Sequence, residues 1–135
     1  MDSYVIKALE NHNKGCNCAQ AVLCAFADKT NLDEETLFKL SEGFGAGMGN
    51  RRNTCGALSG AVMLAGILTS SGNQKNITKF DTYKKAGEIA AEFEKRCKAT
   101  ICEDIKGAKS GAPTVSCDDC IRIATELAEK VLIEK

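Results

Sequence analysis

The chain has 135 residues, 44% of them hydrophobic and 27% charged, which is the size and composition of one globular domain and excludes an intrinsically disordered segment. Lys and Arg number 18 against 18 Asp and Glu, so the formal charge is zero and the basic footprint of a nucleic-acid or anionic-membrane binder is missing. With no Trp and 5% aromatic residues, a base-stacking platform is excluded too.

In chain order, Val5, Ala8, Leu9 and His12 recur at helical spacing, and Gly15 closes that first helix. Asn17 predicts the cap of a second helix running to about Lys29, with Cys18, Ala21, Val22, Ala25 and Phe26 inside. Asp33 predicts the cap of a third, with Leu37, Leu40 and Phe44 pointing inward. Glycines at 43, 45, 47 and 49 then force a loop. Thr54 or Asn53 caps a fourth helix from Cys55 to about Ser70, apolar nearly all round and therefore expected at the centre of the fold.

A turn at Gly72 and Asn73 leads to the longest helix, about Thr78 to Lys98, with Phe80, Tyr83, Gly87, Ala90, Phe93 or Glu94, and Cys97 along its stripe. A short helix after Cys102 stops at Gly107, and residues 109–116, with the sole proline Pro113, read as a surface loop. Ser116 or Asp118 caps the last helix, which buries Cys120 or Ile121, Ala124, Leu127, Val131 and Leu132. No segment alternates like a strand. The expectation is an all-α bundle of about five to seven helices around a central apolar helix, with residues 1–135 forming one domain.

The most apolar run, Ala57 to Leu68, is interrupted by Ser59, Gly60 and Gly66 and falls short of the about 20 residues a bilayer requires, so no membrane insertion is expected. The N-terminus lacks the continuous apolar core of a secretory signal, and a cytoplasmic location is expected. Eight cysteines, at 16, 18, 24, 55, 97, 102, 117 and 120, are then metal ligands or redox thiols more readily than a disulfide framework, with some of them simply packing as small hydrophobes.

Cys18, Cys55, Cys102 and Cys120 each fall in the first turn of a predicted helix. Free N–H groups and the positive end of the helix dipole favour a thiolate there and lower its pKa from about 8.5. Arg51 and Arg52 would add positive charge beside Cys55 if either turned inward, and are otherwise solvated loop residues. Cys117-Asp118-Asp119-Cys120 is a C-x-x-C at a helix start, although the two acids between the sulfurs oppose a thiolate. Cys97 and Cys102 could face one site, and Cys24 reads as core. His12, the only histidine, reads as an ordinary helix-end residue, which disfavours a Cys–His hydrolase. The glycine loop matches neither nucleotide-binding pattern; it reads as a close backbone approach to a cluster or to the Cys55 sulfur, or as a tight connection between helices.

The segment Thr54-Cys55-Gly56-Ala57-Leu58-Ser59-Gly60 carries a CGAxxG pattern. With NCAQAVLCAF around Cys18, TICEDIKG around Cys102 and CIRIATELAEKVL from Cys120, the chain resembles the redox-active protein family named for its C-GCAxxG-C-C pattern over nearly its whole length. The resemblance implies a redox role and places the family's four cysteines on Cys18, Cys55, Cys102 and Cys120, with Cys16, Cys24, Cys97 and Cys117 additional.

Three functions follow in order of preference. The first is thiol and disulfide electron exchange by Cys18, Cys55, Cys102 and Cys120, as an oxidoreductase or electron carrier with an unidentified redox partner. The second is a metal-binding module in which the same four cysteines, with Cys117 or Cys16 as substitutes, ligate an iron–sulfur cluster or zinc. The third is a structural or partner-binding helical domain with incidental thiols. All depend on whether the fold gathers those sulfurs.

Overall fold

The computed structural model describes residues 3–107 and 115–134; Pro113 lies outside them. The fold is all-α. Its helices are α1 (Ser3–Asn13), α2 (Cys18–Ala25), α3 (Ala27–Thr30), α4 (Glu34–Glu42), α5 (Gly56–Thr69), α6 (Lys79–Cys97), α7 (Cys102–Ile105) and α8 (Cys117–Ala128), which continues as a wider turn to Ile133. Among the described residues no helix is long and apolar enough to cross a membrane.

The caps follow the side chains available for them. Asn17 accepts from the Gln20 N–H while the Gln20 side chain accepts from the Asn17 N–H, a reciprocal box that fixes the start of α2. Asp33 accepts from Thr36 N–H and Ser116 from Asp119 N–H, starting α4 and α8. The predicted second helix breaks at Phe26, giving α2 and α3 where the sequence reads one helix. Phe26 is fully buried and stacks on the Tyr4 ring at 4.5 Å, so tertiary packing sets its backbone.

Helix α5 is central and packs against α2, α6 and α8. Its first six residues, Gly56 to Ala61, are all buried. Gly56 and Gly60 lie one turn apart on the face that meets α2. A methyl at Gly60 would sit 2.8 Å from the Ala19 carbonyl oxygen and 3.3 Å from the Val22 Cβ, so the glycines let two backbones approach closely. Gly60→Ala therefore lowers stability by up to about 2 kcal/mol, since overpacking of roughly 1–3 kcal/mol is set against a helix-propensity gain of about 1. Gly66, on the same helix with nothing within 4 Å of its would-be methyl, behaves oppositely, and Gly66→Ala raises stability by about 0.5–1 kcal/mol. Urea midpoints of the two variants moving in the same direction would contradict this packing.

Two expected burials are reversed. Leu40 is 52% exposed because α4 is laid on α2 as a surface helix and buries only the Leu37 and Ser41 stripe; Phe44 is half-buried. Phe80 and Tyr83 are 70% and 62% exposed. The inward stripe of α6 is Ile89, Phe93 and Cys97, while the two aromatics lie off it and pack edge to face on each other.

A thiol cluster at converging helix starts

Among the described residues no strand forms, but Thr54 and Ile101 pair in one isolated antiparallel bridge. The Cys55 N–H donates to the Thr100 carbonyl at 2.7 Å and the Cys102 N–H to the Asn53 carbonyl at 2.8 Å. This clip sets Cys55, the N-cap of α5, beside Cys102, the first residue of α7. From the other side, the Asn17 amide donates to the Glu42 carbonyl and the Gln20 amide to the Phe38 carbonyl, which ties the start of α2, and with it Cys18, to α4. The start of α8 is held by the His12 Nδ1 contact to the Asp118 carboxylate at 2.7 Å.

The glycine loop closes the remaining side. Ala46, Gly47, Met48 and Gly49 are consecutively left-handed, and Arg51 follows at φ 65. Such a conformation costs a non-glycine residue about 1–2 kcal/mol, so the surrounding structure must impose it. A methyl at Gly47 would lie 2.6 Å from the Cys102 Cβ, which is why glycine stands there. The loop's close approach at Gly47 is thus to Cys102. The same loop carries Arg51 to the site, while Arg52 is solvated.

These elements enclose a cavity of about 460 Å³ whose walls include Cys18, Cys55, Cys102, Cys117, His12, Arg51 and Lys106. Behind it lie Cys120 and Cys97, both fully buried. The sulfurs lie close enough to bear on one another's charge: Cys18 neighbours Cys117 and Cys55, and Cys120 lies between Cys55 and Cys97, while the Lys106 ammonium faces Cys117. The four cysteines singled out by sequence are therefore brought together, three lining the cavity and Cys120 reaching it through Cys55. Cys117 and Cys97 complete a set of six. Cys16 and Cys24 stand apart, near Glu34.

The electrostatics reverse one expectation. Burial, reinforced by the neighbouring Cys117 and Cys55 sulfurs, pushes the Cys18 thiol up to about 12. Contact with Cys120 and burial raise Cys55, even though the Ala57 and Leu58 N–H groups at the start of α5 pull the other way. Burial raises Cys102. For Cys120, contact with Cys55 favours the thiolate, but contact with Cys97 and burial outweigh it and push the thiol up to about 12. Loss of solvent thus overrides the helix ends at Cys18 and Cys102, and contact with a neighbouring cysteine together with burial does so at Cys55 and Cys120. Cys97 moves down, because of its contact with Cys120. Lys106 is held protonated above the usual lysine range: burial opposes its charge and the Cys117 sulfur more than restores it.

His12 is not the ordinary helix-end residue expected, since it lines the cavity and orders α8 through Asp118, 106 positions away. Lys106, one turn after Cys102, had only its helical spacing to mark it, whereas Cys97, on the inward stripe of α6, is the cysteine whose separation from Cys102 suggests a shared site. All eight cysteines are free thiols. Among the described residues no three His, Cys, Asp or Glu side chains are arranged to hold a metal ion.

A family model described as "Putative redox-active protein (C_GCAxxG_C_C)" matches residues 16–131. No curated protein and no solved structure matches the chain.

Proposed function

The chain belongs to the C_GCAxxG_C_C family of redox-active proteins, and on that premise we propose that it exchanges electrons as a dithiol and disulfide in the thiol-lined cavity. The observation that carries this reading is the convergence of six sulfurs from five helices, with Cys117 lining the cavity beside both Cys18 and Lys106. Cys117, as thiolate, attacks one sulfur of an acceptor disulfide; the S–S bond breaks and the departing thiolate takes a proton. Cys18 then attacks the Cys117 sulfur of this mixed disulfide, releasing the second thiol and leaving a Cys18–Cys117 disulfide. Two electrons pass to the acceptor, and a dithiol reductant returns them by the reverse steps.

Cys102 flanks the pair, and Cys55, Cys120 and Cys97 form an inner line of thiols that can take over the disulfide by further exchange. Cys117 and Cys120 are three residues apart on α8 and so share a face between the two levels. Eight free thiols suit a reducing cytoplasm.

The test is to reduce the native chain fully, add one equivalent of a small disulfide, quench with acid and map the bonds by mass spectrometry. Cys18–Cys117 is the expected first intramolecular bond. Oxidation confined to Cys16 and Cys24, or no intramolecular bond at all, would overturn the reading.

A further inference from the structure

The walls of the cavity are asymmetric in charge: Arg51 and Lys106 line it, and among the described residues no carboxylate does. Neither cation forms an ion pair among the described residues, whereas the nearby Asp118 carboxylate is engaged by His12. Lys106 is half-buried and points its ammonium at Cys117, so a positive charge is held beside the attacking sulfur. A volume of about 460 Å³ accommodates a small molecule and excludes a folded partner's disulfide from reaching the inner sulfurs.

We infer that the acceptor taken by this cavity is a small disulfide bearing carboxylates, with Arg51 and Lys106 holding its negative charges while Cys117 attacks its sulfur. This inference rests on the exchange reading above and adds the substrate class. The balance is that of the exchange already written: one acceptor S–S bond is broken, one protein S–S bond forms, and two acidic thiols leave with the two protons of Cys117 and Cys18. Binding an anion also offsets the half-buried charge of Lys106, which otherwise faces only cysteine sulfurs, Cys117 foremost. Cavities of one charge sign raise the arrival rate of oppositely charged ligands by about 10 to 10³, and added salt removes the gain.

Three disulfides of the same reacting group test it: 3,3′-dithiodipropionate with two carboxylates, 2-hydroxyethyl disulfide with none, and cystamine with two ammonium groups. Rates of thiol loss from the reduced native chain are each divided by the rate of the same disulfide with free 1-thioglycerol, a neutral thiol distinct from all three leaving groups. The expected result is a normalised rate for the dicarboxylate at least about tenfold above that for cystamine at low ionic strength, shrinking as salt is added. Arg51→Gln lowers that ratio and Arg51→Glu lowers it further, while Arg52→Gln, on the solvated side of the loop, leaves the ratio as it is. If the three reagents react alike and still oxidise Cys18 and Cys117, the substrate class is wrong and the exchange reading stands. If none of them reacts, both fail.

Discussion

Cys117→Ser lowers the rate of disulfide exchange on the order of a hundredfold or more, with little change in stability, because the sulfur is the nucleophile and an alcohol at ordinary pH is not. Serine keeps the size and the hydrogen-bonding capacity of the position, and Cys117 is only half-buried at the first residue of α8, where Ser116 already supplies the cap. Lys106 and Cys18 lose a partner sulfur but retain a hydroxyl in its place.

The informative comparison is Cys120→Ser. Cys120 is fully buried in the middle of the inner line between Cys55 and Cys97, so its replacement puts a more strongly polar group into an apolar core and is expected to cost stability first and exchange rate second. Rates with a small disulfide and urea midpoints, measured on both variants, separate the two roles. Were Cys120→Ser to abolish exchange while Cys117→Ser left it intact, the order of attack drawn from the cavity would be reversed.

That contrast shows where the sequence was informative. Short-range signals were legible: Asn17, Asp33 and Ser116 cap helices because a side chain and an N–H three residues apart suffice to define the motif. The apolar composition of residues 57–68 was enough to place α5 at the centre. The helix-start positions of Cys18, Cys55 and Cys102 were legible too, since each follows a local cap or bridge.

What was not legible depends on contacts between distant segments. The sequence gives no sign that the environment of Cys18 and Cys55 would be dry, so the helix end alone suggested lowered thiol pKa values where burial raises them. His12 pairs with Asp118 across the whole chain, and nothing local to either announces it. Phe80 and Tyr83 are large and apolar and attracted the predicted stripe of α6, yet their end of that helix projects beyond the core. Cys117 reads from sequence only as additional to the family pattern, or as a substitute ligand alongside Cys16; only the packing of α8 against α1 and α5 turns Cys117 to the cavity and Cys120 inward.

The raised thiols have a consequence for the whole fold: stability falls steeply as pH rises from about 8.5 toward 12. A thiol ionises near 8.5 in the unfolded chain, whereas Cys24 is held up to about 11 and Cys120 up to about 12 when native, and Cys55 is raised as well. Through this window the native state keeps protons that the unfolded state has lost. Since stability changes with pH in proportion to protons bound unfolded minus protons bound native, the slope is negative, approaching about 1.4 kcal/mol per pH unit for each such thiol.

Cys24, Cys55 and Cys120 are 3%, 3% and 0% exposed, so solvent screening does little to soften the effect. Cys97 works in the other sense, since its lowered value makes the native state release its proton first, but it is one thiol against several. Urea melts at pH 7.5, 9 and 10, run without oxygen in the presence of a phosphine reductant, should show the midpoint dropping above pH 8.5. Cys24→Ala should flatten the drop, because it removes one titrating thiol without touching the cavity. A midpoint constant to pH 10 in the native sequence would mean that these sulfurs are solvated, and the dry thiol cluster on which the exchange scheme stands would have to be abandoned.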